Sequence, residues 1–243
     1  LKYDSAYGRA PFAVEVADGK LMVGGKEIAF VSEREPTKLP WKDMDIDIVI
    51  ESTGFFAKFI DAKKHLEAGA KRVVISAPSK DDPAASGVNA ATVLMGVNDD
   101  ALATCQVSSN GSCTTNATSP LVAILKESIG IEKAILNTVH AYTSTQSLVD
   151  MPTRGGDFRK ARAAALNIIP TTTGAAVATT LVHTELAGKF DGMAMRVPVP
   201  VGSIVDVTFI ASRDTTVEEI NAALKKAAAD PRWKNIFAAT DEP

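Results

Sequence analysis

A single thiol lies among small polar residues in Ser108-Ser109-Asn110-Gly111-Ser112-Cys113-Thr114-Thr115-Asn116, and the apolar run Pro120–Leu125 follows it. The pattern places Cys113 in the first turn of a helix. Unpaired N–H groups and the positive end of the helix dipole meet there, a setting in which a cysteine serves as a nucleophile. A free cysteine is also a common packed core residue, and this stretch alone leaves both roles open. The partner of a reactive cysteine is typically a histidine remote in sequence. The chain has three. His65 and His183 fall in helical patterns and read as surface residues. His140 ends an apolar strand pattern, Val139-His140-Ala141-Tyr142-Thr143, and reads as either that partner or a satisfied core histidine.

The elements that position these residues follow from periodicity. Residues 11–35 predict a small β meander turning at Asp18-Gly19 and Gly24-Gly25. Ile46–Ile50 reads as a buried parallel strand that ends in the small-residue turn Glu51-Ser52-Thr53-Gly54. Ile60–Ala68 has helical spacing with Gly69 as its stop, and Arg72–Ile75 is another buried strand closed by Ser76-Ala77-Pro78. Strand, turn, helix and strand within about 30 residues make a βαβ unit, half of a doubly wound nucleotide-binding sheet. Val93–Met95 and Cys105–Val107 read as further strands. Beyond Cys113, strands are predicted over Ala134–His140, Met193–Val199 and Ile204–Ala211, with an irregular stretch over 143–170. Thr216-Val217-Glu218-Glu219 is a capping box opening a helix that Asp230-Pro231 ends. The expected fold is therefore α/β plus α+β. A partial Rossmann-like nucleotide-binding domain over 1–112 precedes a mostly antiparallel sheet domain over 113–243, with helices on one face.

Composition narrows the function classes. The 243 residues are 46% hydrophobic and 23% charged with a net charge of −3, and no basic block points to nucleic acid or a membrane surface. No apolar run reaches the ~18 residues needed to span a bilayer. Two cysteines, Cys105 and Cys113, make no disulfide framework and have no metal-ligand spacing, so no metal and a reduced, cytoplasmic setting are expected. Leu1 and Pro243 read as the ends of an internal portion.

Several further strings stand in one order along nearly the whole chain. They are Lys2-Tyr3-Asp4-Ser5, Glu51–Gly54, Ile75–Pro78, Met95-Gly96-Val97-Asn98, Ser109–Asn116, Val139–Thr143, Ala161-Arg162-Ala163-Ala164-Ala165, Ile168–Ala176 and Arg196-Val197-Pro198. Together they resemble phosphorylating glyceraldehyde-3-phosphate dehydrogenase. The resemblance implies oxidation of D-glyceraldehyde 3-phosphate with NAD and inorganic phosphate to 1,3-bisphosphoglycerate, a step of glycolysis and gluconeogenesis. Cys113 would form a thiohemiacetal and then a thioester. His140 would act as its partner and take the hydroxyl proton, and the Cys113 N–H would hold the developing oxyanion.

The same resemblance implies two anion sites. Thr143 and Arg196 would bind the substrate phosphate; Ser112, Thr114, Arg159, Thr173 and Gly174 would bind the attacking phosphate. Ser112 and Thr114 could instead cap the helix, and Arg159 could be a solvated charge. Arg196, in an apolar strand, calls for an anionic partner. Arg34, Thr53, Gly54 and Ser76 are expected near the cofactor, NAD with NADP left open because the acidic ribose-binding residue would precede Leu1. The Gly-x-Gly-x-x-Gly turn of the family would also lie upstream. A homotetramer is implied for the complete protein.

Departures from the family pattern are Ala117 in place of a second cysteine, Val177 in place of a lysine, and a longer Arg154–Asp157 loop near expected subunit contacts. Two other readings remain: erythrose-4-phosphate dehydrogenase, which shares the Cys-His pair, and a non-catalytic fragment acting as a binding module.

Overall fold

The computed structural model describes residues 1–153 and 156–242; Arg154 and Gly155 of the expected longer loop lie outside the described residues. A short ribbon, β1 (Tyr3–Asp4) with β2 (Gly8–Arg9), precedes the meander β3 (Val14–Ala17), β4 (Lys20–Val23) and β5 (Lys26–Ile28). All of these pairs are antiparallel, as the turn residues predict.

The next unit is wholly parallel. It contains β6 (Ile48–Glu51), the short helices α1 (Phe59–Ala62) and α2 (Lys64–Glu67), β7 (Arg72–Ile75), β8 (Ala90–Thr92) and β9 (Val107–Ser109). The strand order is β6-β7-β9-β8. Val73, Ile75 and Val107 pack with Phe59 and Ala62 into one core, which fixes the helical turns against the sheet. The helix expected over Ile60–Ala68 is broken into two turns at Lys63. The strand expected at Val93–Met95 lies earlier, because the Leu94 N–H is taken by Asn98 Oδ1 at 2.8 Å in a turn. Likewise the strand expected at Cys105–Val107 begins only at Val107.

The second unit opens on α3 (Cys113–Ser128) and continues through β10 (Ile131–Ala141), β11 (Ile169–Thr172), α4 (Ala175–Val182), β12 (Phe190–Val197), β13 (Ser203–Ala211) and α5 (Val217–Ala228). The sheet order is β11-β12-β10-β13. The β10–β12 pair is parallel and the other two pairs are antiparallel. Val122 and Leu125 of α3, Ala175 and Ala176 of α4, and Leu136 and Phe190 of the strands form the core beneath one face. The Thr216 hydroxyl accepts from the Glu219 N–H and caps α5 as its sequence predicts.

Two histidines depart from expectation. His65 and His183 are both buried rather than on the surface. His65 lies in the short α2 and His183 at the end of α4, and each finds its hydrogen-bond partners far away in sequence.

Candidate functional site

Ser112 begins the site. Its extended backbone stops the chain from β9, and its hydroxyl accepts from the Thr115 N–H at 3.0 Å, so the helix opens at Cys113. The thiol is exposed. Its sulfur lies 3.1 Å from His140 Nε2.

His140 is delivered by β10, and the parallel register of β10 with β12 sets Arg196 directly beside it. Arg196 Nη1 lies 2.5 Å from His140 Nδ1 and donates to Ala141 O at 3.0 Å. A guanidinium has only hydrogens to offer, so Nδ1 faces it with a lone pair and the ring hydrogen sits on Nε2, toward the sulfur. Ala141 O is also 2.7 Å from Nδ1, an acceptor ready for the other tautomer. Burial pushes the Arg196 guanidinium down from its ordinary value, and a charge on Cys113 opposes that shift. Arg196 Nε is buried without a hydrogen-bond partner among the described residues.

From the other side, β11 runs into Thr173 and Gly174 at the start of α4, where the Thr173 hydroxyl accepts from the Ala175 N–H at 3.1 Å. The N-termini of α3 and α4 therefore converge with Arg196 on one cavity of about 180 Å³. Ser112, Cys113, Thr114, His140, Thr173, Gly174 and Arg196 line it together. Two helix N-termini and a guanidinium make an electropositive pocket suited to phosphate, beside a thiol paired with an imidazole.

Thr143 and Arg159 are not in that lining. Thr143 lies past the end of β10, its hydroxyl bonded to Gln146 Oε1 at 3.1 Å, and Arg159 is paired with Asp157 at 2.8 Å. Val177, where the family pattern has lysine, stands exposed on α4. Thr138 is an addition. It lines the cavity, two positions before His140 on the same face of β10, and its buried hydroxyl has no hydrogen-bond partner among the described residues. Strand alternation from His140 was the signal that could have found it.

Three of the four expected cofactor residues, Arg34, Thr53 and Gly54, line two cavities. A cavity of about 670 Å³ is flanked by Arg34, Thr53 and Phe55. A second, of about 500 Å³, runs from Gly54 to Pro78 and Gly174, and those last two residues also line the cysteine cavity. Ser76 lines neither cavity; its hydroxyl donates to Ser52 Oγ at 3.0 Å, and it precedes Ala77 and Pro78 of the second cavity. Gly54 has a φ of +78° with nothing within 4 Å of an added Cβ, so its backbone is open to a ligand. The Arg34 guanidinium has no hydrogen-bond or ion-pair partner among the described residues. A free cation at one end, open backbone in the middle and the thiol at the other fit an anionic dinucleotide. Among the described residues no cluster of His, Cys, Asp or Glu is arranged to hold a metal ion, and no helix is long and apolar enough to cross a membrane.

Comparisons with known proteins agree with this architecture. Residues 112–243 match the model of the glyceraldehyde 3-phosphate dehydrogenase C-terminal domain, and residues 1–59 match that of its NAD binding domain. The glyceraldehyde-3-phosphate dehydrogenases of Streptomyces coelicolor and Geobacillus stearothermophilus are each 50% identical over 100% of this chain and 70% of their own length. Glyceraldehyde-3-phosphate dehydrogenase 1 of Bacillus subtilis is 47% identical over the same shares. Fold and matches define an oxidoreductase with an NAD-binding domain ahead of a catalytic one. The chain belongs to the glyceraldehyde-3-phosphate dehydrogenase family.

Proposed function

We propose that the protein oxidises D-glyceraldehyde 3-phosphate to 1,3-bisphosphoglycerate with NAD and inorganic phosphate, and that Cys113 carries the acyl group. The observation that carries this reading is the 3.1 Å Cys113–His140 contact at the mouth of a cavity that two helix N-termini and Arg196 make electropositive.

Cys113 Sγ attacks the aldehyde carbon, the S–H bond breaks, and its hydrogen passes to the carbonyl oxygen, which becomes the hydroxyl of a thiohemiacetal. That oxygen is held by the Cys113 N–H at the start of α3 and by the His140 ring. Arg196 moving onto the substrate phosphate releases His140 Nδ1, which then carries its hydrogen toward Ala141 O and leaves Nε2 bare. A bare Nε2 takes the hydroxyl proton as the carbon is oxidised to the thioester. The nicotinamide cofactor supplies the hydride acceptor when bound, and Arg34, Thr53, Gly54 and Ser76 are the residues we assign to holding it. Inorganic phosphate, bound by Ser112, Thr114, Thr173 and Gly174, then attacks the thioester carbon; the C–S bond breaks, the acyl phosphate leaves and Cys113 is restored. Thr143 and Arg159 belong to the substrate-phosphate and inorganic-phosphate sites on the strength of the family pattern.

The division between a cofactor domain over 1–112 and a catalytic domain over 113–243 is supported by the C-terminal family match, which begins at residue 112. A homotetramer in the cytoplasm is the assembly and setting we assign to the complete protein. Ile135, Met193, Ile204 and Ile210 stand exposed on the sheet face opposite the helices, an apolar surface suited to a neighbouring subunit. Steady-state kinetics tests the assignment: turnover of glyceraldehyde 3-phosphate should require both NAD and inorganic phosphate, and equal or better turnover of erythrose 4-phosphate would overturn it.

A further inference from the structure

Glu51 and His65 are both buried, each 4% exposed, and no step above uses them. Glu51 ends β6 and His65 lies on α2. Their side chains meet at 3.0 Å, Oε2 to Nε2. The Trp41 indole N–H donates to His65 Nδ1 at 3.1 Å. Phe56 packs edge-on against the imidazole, with ring centroids 6.4 Å apart. On the far side of the carboxylate, Glu51 Oε1 accepts from the Thr53 N–H at 2.7 Å and from the Thr53 hydroxyl. That hydroxyl in turn accepts from the Phe55 N–H at 3.2 Å.

Donor counting leaves this chain one direction. An indole nitrogen only donates, so His65 Nδ1 accepts and the ring hydrogen is on Nε2, where it goes to Glu51. The Thr53 hydroxyl spends its hydrogen on Glu51 and receives the Phe55 N–H. Every polar atom has one role. Thr53, Phe55 and His65 all line the same cavity of about 670 Å³, so the chain runs from the interior to the turn that faces it.

We propose that Glu51 and His65 are positioning residues for the Thr53–Phe55 turn, with Trp41 selecting the His65 tautomer that makes the chain complete. The proposal rests on the reading that this turn lies under the dinucleotide. Fixing the turn before binding spares the cofactor the cost of ordering it, so the effect falls on cofactor affinity rather than on turnover.

The test is made in the complete natural polypeptide, with NAD affinity read by equilibrium titration alongside kinetics. Glu51→Gln keeps the shape and removes one acceptor. With its carboxamide oxygen toward Thr53, its NH2 meets His65 Nε2–H; turned round, it meets the Thr53 N–H. Two donors face each other either way. The expected result is an NAD Kd raised about tenfold, with kcat at saturating NAD within about twofold of the unmodified protein. Adding Trp41→Phe frees the imidazole to move its hydrogen to Nδ1 and accept from the carboxamide. The double variant should return to within about threefold of the original Kd.

A role in packing alone makes the opposite statement, since two core lesions add. A Kd unchanged in E51Q, or weaker binding in the double variant than in E51Q, overturns the proposal. If E51Q does not fold, His65→Asn carries the same expectation, because its amide still accepts from Trp41 and no longer reaches Glu51; an unchanged Kd overturns the proposal there too. Thr53→Ala separates the two levels. If it leaves NAD binding unchanged, the turn is not a cofactor contact and the underlying reading falls. If it weakens binding and E51Q does not, only the positioning role falls.

Discussion

His140 and Arg196 face each other in the parallel register of β10 and β12, with Arg196 Nη1 2.5 Å from His140 Nδ1. One guanidinium therefore touches the imidazole that partners the thiol, while its Nε is buried with no hydrogen-bond partner among the described residues. Arg196→Gln should lower kcat/KM for the phosphorylated aldehyde about a hundredfold, mostly through KM, because a charge-assisted fork to phosphate is lost. An aldehyde without a phosphate should lose about tenfold or less. Comparing the two substrates checks this. Equal losses would remove Arg196 from the phosphate site and leave it only the histidine.

Cys113 and Cys105 offer an internal control. Cys113 is exposed beside His140; Cys105 is buried, its thiol directed at Val107 O at 3.1 Å, and burial pushes that thiol up. Cys113→Ser should cost about 10⁴-fold in turnover, whereas Cys105→Ser should stay within about threefold and cost about 1 kcal/mol of stability. Iodoacetamide should label Cys113 first. Comparable activity losses in the two variants would contradict the assignment of the nucleophile.

Much of this site was legible because its parts are local. The turn into Cys113, the cap at Ser112 and the strand ending at His140 follow from patterns a few residues long, and the structure joins them at 3.1 Å. What was not legible depends on distant partners. His65 has ordinary helix spacing, and only the approach of Glu51 and Trp41 makes its burial tolerable. The strand at β8 slid because one Asn98 side chain took a backbone donor. Arg159 shows a third kind of gap. Its charge fits phosphate, but Asp157, two residues away, already engages it.

Gly69 ends the helical pattern in the sequence, and the structure adds a second demand. Its φ is +108°, and an added Cβ would come within 2.5 Å of Lys42 Cβ, whose backbone N–H bonds to Ala68 O at 3.0 Å. Gly69→Ala meets backbone strain and a clash with main chain that cannot swing away. It should destabilise the protein by about 3 kcal/mol or more, read as a lowered urea midpoint with an unchanged slope. Gly188, at φ +73° with open space around it, bears only the strain, so Gly188→Ala should cost about 1 kcal/mol.

His183 gives the fold a pH dependence above the range of its carboxylates. It is 1% exposed and its Nε2–H donates to Ser119 O at 3.1 Å, tying the end of α4 to the middle of α3. Burial holds the imidazole below its ordinary value of 6.5, helped by Lys126 and opposed by the Ser119 carbonyl, Glu185 and Glu127. The unfolded chain takes up this proton near the ordinary value while the folded chain does not. Stability is therefore full above that value and falls as pH drops below it, until the folded imidazole also protonates. Glu185 is itself lowered from 4.5, so its own loss of stability comes at more acid pH. His183→Gln keeps a donor near Ser119 O and cannot titrate. It should lower Tm near pH 7.5 yet give a flatter Tm curve between about pH 7 and 5.5 than the unmodified protein. Parallel curves would mean that the acid sensitivity arises elsewhere. Because α3 and α4 point their N-termini into the cysteine cavity, the same protonation should loosen that cavity as it loosens the fold.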